Sequence, residues 1–565
     1  MTQVYEALAD AVQARGVSAV FGLMGEETAW LTVALDARGI AYYATRHEAT
    51  AVGMADGYSR ESGKLGIALV SRGPGLTNAL TTIVSAAKAR SRVVVIVGEG
   101  DIGAVDPAKG VTAKGENKYI DQPGVLTACG VTNAVLTSPE SAVADLNAVM
   151  DRAEHGLTIA LSLPMDILDL EAGDAEARVQ LPAVTARTAT PEDEQISAVA
   201  DLVQAGARRP VILAGRGAAR AGAEIERLAD TIGAVLATTL MGKNLFTGNP
   251  YDLGIVGLLG SPVSSELLTG ADLVLVFGSS LDIYTTGRGA LFGEARVVRF
   301  ESDPASAPKS VTPDLTVLGD AGAAAQALAD ELDRRSYHAA GYRTEETRQR
   351  LQSFVLAESF EDASRPDALD PRRLMVEFDR LLPSNRTVVV DDGHHWTWPG
   401  TYLAVPKPGS FILPIEYFSI GAATGVALGV AVASPDKTTV YCVGDGGMLM
   451  TLSDIDTAVR YNLPVVTLVA DDCAFGSEVH YLQLTGFSDD LARCASPSFE
   501  DIAAAVRSKA ATLRTLDDLA KVRELLADPQ GPLLVHCKIN GDIRADWVDF
   551  HFRDTEFSAA AGGAA

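Results

Sequence analysis

Residues 437–476 read KTTVYCVGDGGMLMTLSDIDTAVRYNLPVVTLVADDCAFG. An apolar, β-branched run (KTTVYCVG) is followed by a segment of helical spacing that Ser453 can cap, and then by a second apolar run (LPVVTLVA). That pattern is strand, helix, strand. A parallel unit of this kind crosses over right-handed, so the chain leaves both strands at one edge of the sheet. Open α/β sheets bind ligands at that edge. Both runs end in acid: Asp445 after the first, Asp471 and Asp472 after the second. Two carboxylates about 4 Å apart repel by about 4 kcal/mol at an effective dielectric of 20. A hard divalent cation removes the cost, and Mg²⁺ needs few protein ligands, leaving positions for water and phosphate oxygens. Gly444, Gly446 and Gly447 allow backbone amides to approach such phosphates. The crossover places Asp445 and Asp472 near each other at that edge; the plain alternative is that Asp471 and Asp472 end the strand because Asp starts turns.

The same alternation runs along the chain. VSAVFG, IAYYAT, LGIALVS and RVVVIVG alternate with helical patterns in the first third. RPVILAG, ADLVLVFG and ARVVRFE follow a polar linker, Glu171 to Glu194, and RTVVVDDG opens a third unit after Pro371. The expectation is an α/β protein of three consecutive domains with mostly parallel sheets, at 1–170, 190–345 and 366–550. The residues from 551 to 565 read as a disordered tail.

Composition bounds the partners. The chain of 565 residues carries a formal net charge of -26, with 73 acidic against 47 basic residues and no basic cluster. Nucleic acid and anionic membrane are therefore excluded as expected partners. An anionic ligand must be held by a cation or by backbone amides. Five cysteines without CxxC spacing read as a reduced, cytoplasmic protein without disulfides or a zinc site. The N-terminus lacks the pattern of a signal peptide. GAATGVALGVAVA (Gly421 to Ala433) is too short for a membrane span and reads as a closely packed interior helix.

GDG followed after a strand by a pair at the Asn-Asn position resembles the cofactor signature of thiamine diphosphate-dependent enzymes. The similar branch contains acetohydroxyacid synthases, pyruvate oxidases, 2-oxo acid decarboxylases and benzaldehyde lyase. The resemblance covers nearly the whole chain and implies the order pyrimidine-binding domain, central Rossmann-like domain, diphosphate-binding domain. It implies thiamine diphosphate and Mg²⁺ as cofactors, with Asp445, Asp472 and the Ala474 carbonyl as metal ligands and Phe475 and Gly476 beside them. This chain departs from the family by reading Asp471-Asp472 where the family has Asn-Asn. Two anionic ligands cancel the Mg²⁺ charge, so a weaker hold on the diphosphate than an Asn site gives is expected.

Other motifs follow the resemblance. Glu48 in TRHEAT matches the glutamate that hydrogen-bonds the aminopyrimidine and promotes deprotonation of the thiazolium. VFGLMGEE resembles the FGxPG turn, with Gly25 kept and Met24 in place of Pro. SRGPGLTNAL resembles the loop that brings Gly73 and Asn78 to the pyrimidine, in relatives from a second subunit. Arg72 in that loop is a candidate clamp for a substrate carboxylate. DDGHHWTWPG resembles a diphosphate-contacting segment, which makes His394 and His395 candidates for phosphate or substrate contact. EYFSIG places Ser419 and Ile420 at the wedge that bends the cofactor. Glu478 stands where decarboxylases carry an acid-base glutamate, and His480 is a further candidate. LAGRGAARAG in the central domain is loosely like a dinucleotide loop; relatives bind FAD or ADP there, and a structural role is favoured.

The function implied is cleavage or formation of a C–C bond next to a carbonyl, as 2-oxo acid decarboxylation or carboligation of the acetolactate synthase kind, by a homodimer or homotetramer acting on a 2-oxo acid or aldehyde. The alternatives are a 2-hydroxyacyl-CoA lyase or oxalyl-CoA decarboxylase, for which no basic stretch awaits the CoA phosphates, a flavin-dependent oxidase, and a non-catalytic cofactor-binding homologue.

Overall fold

The computed structural model describes residues 2–103, 106–183, 187–339, 341–528 and 531–552. Its strands form three six-stranded sheets, each wholly parallel. The first contains β1 (Ala19–Gly22), β2 (Ala41–Ala44), β3 (Gly66–Val70), β4 (Val93–Glu99), β5 (Thr132–Val135) and β6 (Thr158–Pro164), in the order β2-β1-β3-β4-β6-β5. The second contains β7 (Pro210–Ala214), β8 (Val235–Thr238), β9 (Asp252–Ile255), β10 (Leu273–Phe277), β11 (Arg296–Glu301) and β12 (Leu315–Leu318), in the order β12-β11-β10-β7-β8-β9. The third contains β13 (Arg386–Val390), β14 (Phe411–Ile412), β15 (Thr438–Gly444), β16 (Val465–Asp471), β17 (Lys509–Leu513) and β18 (Leu533–Lys538), in the order β14-β13-β15-β16-β18-β17. Helices cover both faces, so inner strands such as β3, β7, β10 and β13 are buried along their whole length. That burial is why they read as continuous apolar runs rather than alternating ones.

The first and third sheets are joined by two helices, Glu48–Ser62 and Ala423–Ala433, which share one core. Small residues let their backbones meet. A Cβ on Gly53 would lie 2.9 Å from the Gly425 Cα, and one on Gly57 or Gly429 would collide with the Val426 or Met54 backbone. The Gly421 to Ala433 segment is thus the packed interior helix expected from its composition. No described helix is long and apolar enough to cross a membrane.

Two expectations are corrected. The crossover between β15 and β16 is not one helix capped by Ser453. It consists of Asp445–Met450, a 3-10 turn at Leu452–Asp454, and Ile455–Arg460. Asp454 occupies the capping position, but its carboxylate accepts from Thr50 Oγ1 (2.7 Å) and the Arg46 amide (3.0 Å) of the first unit. That residue ties the third unit to the first. The expected tail begins inside the helix Asp546–Phe552, and its remainder, 553–565, lies outside the described residues.

Candidate active site

β15 and β16 pair with Gly444 opposite Ala470, so Asp445, Asp471 and Asp472 emerge together at the carboxyl edge. Gly444 caps the helix that Asp445 begins. The Asp445 carboxylate is buried and accepts a short hydrogen bond from Ser496 Oγ. Burial pushes it up, and Asp471 beside it adds to the rise. Burial pushes Asp472 up to about 7, with repulsion from Asp445 next in importance. Asp471 behaves oppositely: although burial raises it, hydrogen bonds from His536 and Lys538 hold it well below the usual carboxylate range. Its Oδ2 receives Lys538 Nζ at 2.6 Å and His536 Nε2 at 2.5 Å, while Oδ1 accepts from the Cys473 amide at 2.9 Å. The turn-forming role expected of Asp471 is therefore one half of what it does. The other half, an ion pair with β18, was not visible in the sequence.

The loop that follows turns through Cys473, whose φ is +57°. Asp472 Oδ1 accepts from the Ala474 amide (3.1 Å), and the Cys473 carbonyl receives the Cys494 amide (2.8 Å). Among the described residues no cage of three or more His, Cys, Asp or Glu side chains exists. The donors are instead two carboxylates raised chiefly by burial, Asp445 further by Asp471 and Asp472 further by Asp445, plus backbone oxygen. That sparse hard-oxygen set suits Mg²⁺ completed by phosphate and water. Around it the backbone is bare by necessity. A Cβ on Gly476 would lie 2.6 Å from Asp472 Oδ2, one on Gly447 2.6 Å from Asp391 Oδ2, and one on Gly446 3.0 Å from the Phe475 ring. Asp391, which sequence reasoning passed over, accepts from the Gly421 (2.6 Å) and Ala423 (3.1 Å) amides and so fixes the segment holding Ser419 and Ile420. Burial pushes Asp391 up to about 7.

At the carboxyl edge of the first sheet, the buried Glu48 starts its helix, and its Oε2 accepts from Asn78 Nδ2 at 3.0 Å. The structure thus brings together two residues from separate motifs. Gly73, at φ +59°, abuts the Lys118 carbonyl and donates its amide to Gln122 Oε1 at 2.8 Å. Gly25 packs on Ser71, where a Cβ would have 2.7 Å of room. Among the described residues no hydrogen bond links the Glu48–Asn78 pair to the Asp445–Asp472 pair.

Three family profiles match the chain in the same order as its three sheets. They are the N-terminal TPP binding domain of thiamine pyrophosphate enzymes at 2–136, the central domain at 196–328 and the C-terminal TPP binding domain at 391–537. The chain belongs to the thiamine pyrophosphate enzymes. It is 29% identical over 489 residues to a probable acetolactate synthase large subunit of Methanocaldococcus jannaschii, covering 83% of this chain and 80% of that protein. It is 27% identical over 561 residues to a sulfoacetaldehyde acetyltransferase of Alcaligenes xylosoxydans xylosoxydans, covering 93% and 90%. It is 28% identical over 466 residues to acetolactate synthase isozyme 3 large subunit of Escherichia coli, covering 80% and 79%.

In this thiamine pyrophosphate enzyme several candidate side chains are turned to other tasks. Arg72 is not a free cation for a substrate carboxylate. Its Nε donates to the fully buried Glu27 at 2.8 Å and its Nη2 meets Glu116 at 2.6 Å, so its charge is already matched. His395 is buried, with its Nδ1 3.4 Å from where a Cβ on Gly393 or Gly444 would lie. It borders a small apolar cavity with Met375, Trp398, Cys442, Leu468 and Cys537; its Nε2 has no partner, and burial lowers it to about 4. His394 stays at the edge of the site. Its Nε2 accepts from the Ala545 amide (3.0 Å), and a Cβ on Gly476 would lie 2.9 Å from its Nδ1. Burial, then the neighbouring His480 ring 4.5 Å away, keeps His394 neutral. Glu478 and His480 lie on one helix, Gly476–Thr485. Glu478 is exposed and adds to the rise that burial gives Asp392, while His480 is buried against His394.

The glycine loop of the central sheet serves packing. A Cβ on Gly215 would lie 2.5 Å from the Gly278 carbonyl and one on Gly217 2.8 Å from the Gly278 Cα, so the turns after β7 and β10 fit backbone to backbone. Beside them the wholly buried Arg299 donates to Glu301 (2.7 Å) and to the Ser279 and Ser306 carbonyls (3.1 and 2.7 Å).

Proposed function

We propose that this enzyme uses Mg²⁺ with thiamine diphosphate to decarboxylate a 2-oxo acid, to join its acyl unit to an acceptor carbonyl, or both. The observation that carries this reading is one chain with two complementary half-sites: the Glu48–Asn78 carboxyl at 3.0 Å and the Asp445–Asp472 pair at the edge of β15 and β16. The bound cofactor supplies an electron sink that protein side chains lack. Glu48 is oriented through Oε2, and among the described residues nothing bonds its Oε1, leaving that oxygen to hold or pass a proton at the pyrimidine ring. Asp445, Asp472 and the Ala474 carbonyl would hold Mg²⁺, with amides of Gly446, Gly447 and Gly476 toward the diphosphate. Ile420 and Ser419 would shape the cofactor's bend, and neutral His394 and exposed Glu478 would face the substrate. We assign pyrimidine binding to 1–170, the central domain to 190–345 and diphosphate binding to 366–550, in a homodimer or homotetramer.

A second reading is acetyl transfer from sulfoacetaldehyde to a nucleophilic acceptor such as inorganic phosphate, supplied in the assay, with the C–S bond broken and sulfite leaving. It is supported by the alignment with the sulfoacetaldehyde acetyltransferase over 93% of this chain. The test is a substrate panel with thiamine diphosphate and Mg²⁺ present. Pyruvate, 2-oxobutyrate, glyoxylate and benzoylformate are followed for CO₂ release and for hydroxyketone product, and sulfoacetaldehyde for its consumption. Turnover of a 2-oxo acid is expected. Sulfoacetaldehyde turnover with none from 2-oxo acids supports the second reading, and silence across the panel overturns both.

A further inference from the structure

Asp471 is the carboxylate that a two-ligand metal site does not need. It is buried at the end of β16 beside Asp445, directly opposite Lys538 in the β16–β18 register. Two side chains of β18 converge on its Oδ2, Lys538 Nζ at 2.6 Å and His536 Nε2 at 2.5 Å. Its other oxygen accepts the Cys473 amide at 2.9 Å, and Lys538 Nζ also reaches Cys473 Sγ at 3.4 Å. Cys473 holds φ +57°, a left-handed conformation that a residue with a side chain keeps only where its surroundings enforce it. Asp471 is therefore gripped from one side and grips the turn from the other. That turn sets the direction of the next two groups, the Asp472 carboxylate and the Ala474 carbonyl.

We propose that Lys538, seconded by His536, is a positioning residue of the metal site. Its ammonium cancels the Asp471 charge and locks the Cys473 turn, so that Asp445, Asp472 and the Ala474 carbonyl alone face the cation. The inference rests on the Mg²⁺ reading given above. Without Lys538, three carboxylates share one pocket. Asp471 is then free to swing off the turn and compete for the metal, and an unpaired negative charge faces the diphosphate. An amide at 471 would accept the Cys473 amide equally well and need no counter-charge, so Asp471 and Lys538 act as a matched pair.

The test uses the full-length protein freed of metal and cofactor, with Mg²⁺ titrated at fixed thiamine diphosphate and binding read by calorimetry. Lys538→Met is expected to raise the half-saturating Mg²⁺ concentration about tenfold and to weaken thiamine diphosphate with it, as breaking a buried ion pair should. At saturating cofactor, kcat should change less than about threefold, because no reacting group is removed. Asp471→Asn leaves the ammonium uncancelled and should also weaken Mg²⁺. The double variant Asp471→Asn/Lys538→Met should return to within about threefold of wild type, a coupling that independent sites do not show. If Lys538→Met does not fold, the double variant must still bind Mg²⁺ more tightly than Asp471→Asn alone. A Mg²⁺-dependent wild type with an unaffected Lys538→Met, or a double variant no better than either single one, overturns the inference by itself. A wild type that binds thiamine diphosphate regardless of Mg²⁺ overturns the metal reading and this inference together.

Discussion

Asp472 is a carboxyl where the resemblance has a neutral amide; burial, then Asp445, raises it to about 7, and a bound cation would draw it into its anionic form. An anionic ligand binds the cation harder and leaves less of its field for the diphosphate. Asp472→Asn is accordingly expected to bind thiamine diphosphate several-fold more tightly at saturating Mg²⁺, measured by calorimetry; unchanged or weaker binding contradicts the charge argument. Lys243 offers a pH test remote from the metal. It is buried between the central and third units, where its Nζ donates to the Gly400 carbonyl at 2.5 Å and lies 5.6 Å from the Phe411 ring centroid. Desolvation lowers it from 10.5 to about 7. Between the folded value and the higher unfolded one, the unfolded chain binds the extra proton, so stability contributed here rises with pH and is lost as pH falls toward 7. The stability of wild type relative to Lys243→Met should therefore climb from pH 7 to 10, by at most about 1.4 kcal/mol per pH unit. Urea unfolding at several pH values measures it, and a flat or falling difference refutes the assignment.

The helix Ala423–Ala433 shows where element-level physics overrides propensity. Alanine is worth about 1 kcal/mol more than glycine inside a helix. Yet a Cβ on Gly429 would collide with the Met54 backbone of the partner helix. Gly429→Ala should thus destabilise by about 1–3 kcal/mol or more through overpacking, seen as a lower thermal midpoint; a raised midpoint would mean that the helices are not held this closely. Elements were legible in proportion to how much local sequence decides them. β13, β15 and β16 read as apolar runs because both faces are buried, and Glu48 and Asp445 sit beside recognisable turns. What could not be read depended on partners distant in sequence. Lys538 lies 67 residues from Asp471. Arg72 reads as a free cation until Glu27 and Glu116 fold against it. His395 adjoins His394 in sequence but enters an apolar cavity, because the 3-10 turn His394–Trp396 sends neighbouring side chains in different directions. Ser496 and Asp391 gave no local signal, since each acts by bonding across to another element.

At the scale of the whole molecule, the two half-sites belong to different sheets, and their helices Glu48–Ser62 and Ala423–Ala433 pack against each other within one chain. Around the diphosphate half, Phe418 (61% exposed), Met450 (62%) and Phe475 (40%) remain open, as does Met24 (49%) beside Gly25. Exposed apolar groups beside a half-site are a kind of surface that a second chain can cover. A two-fold dimer would bring the Glu48 half of one subunit to the Asp445 half of the other, making two equivalent sites. Glu48→Gln and Asp445→Asn should each be inactive as homodimers. When the two are unfolded together and refolded as an equal mixture, random pairing gives half heterodimers, each with one site intact. Activity should then return to about a quarter of the wild-type value per chain. Sites built within a single chain would give no recovery from any mixture, so the refolding assay decides whether the active site is a property of the chain or of the pair.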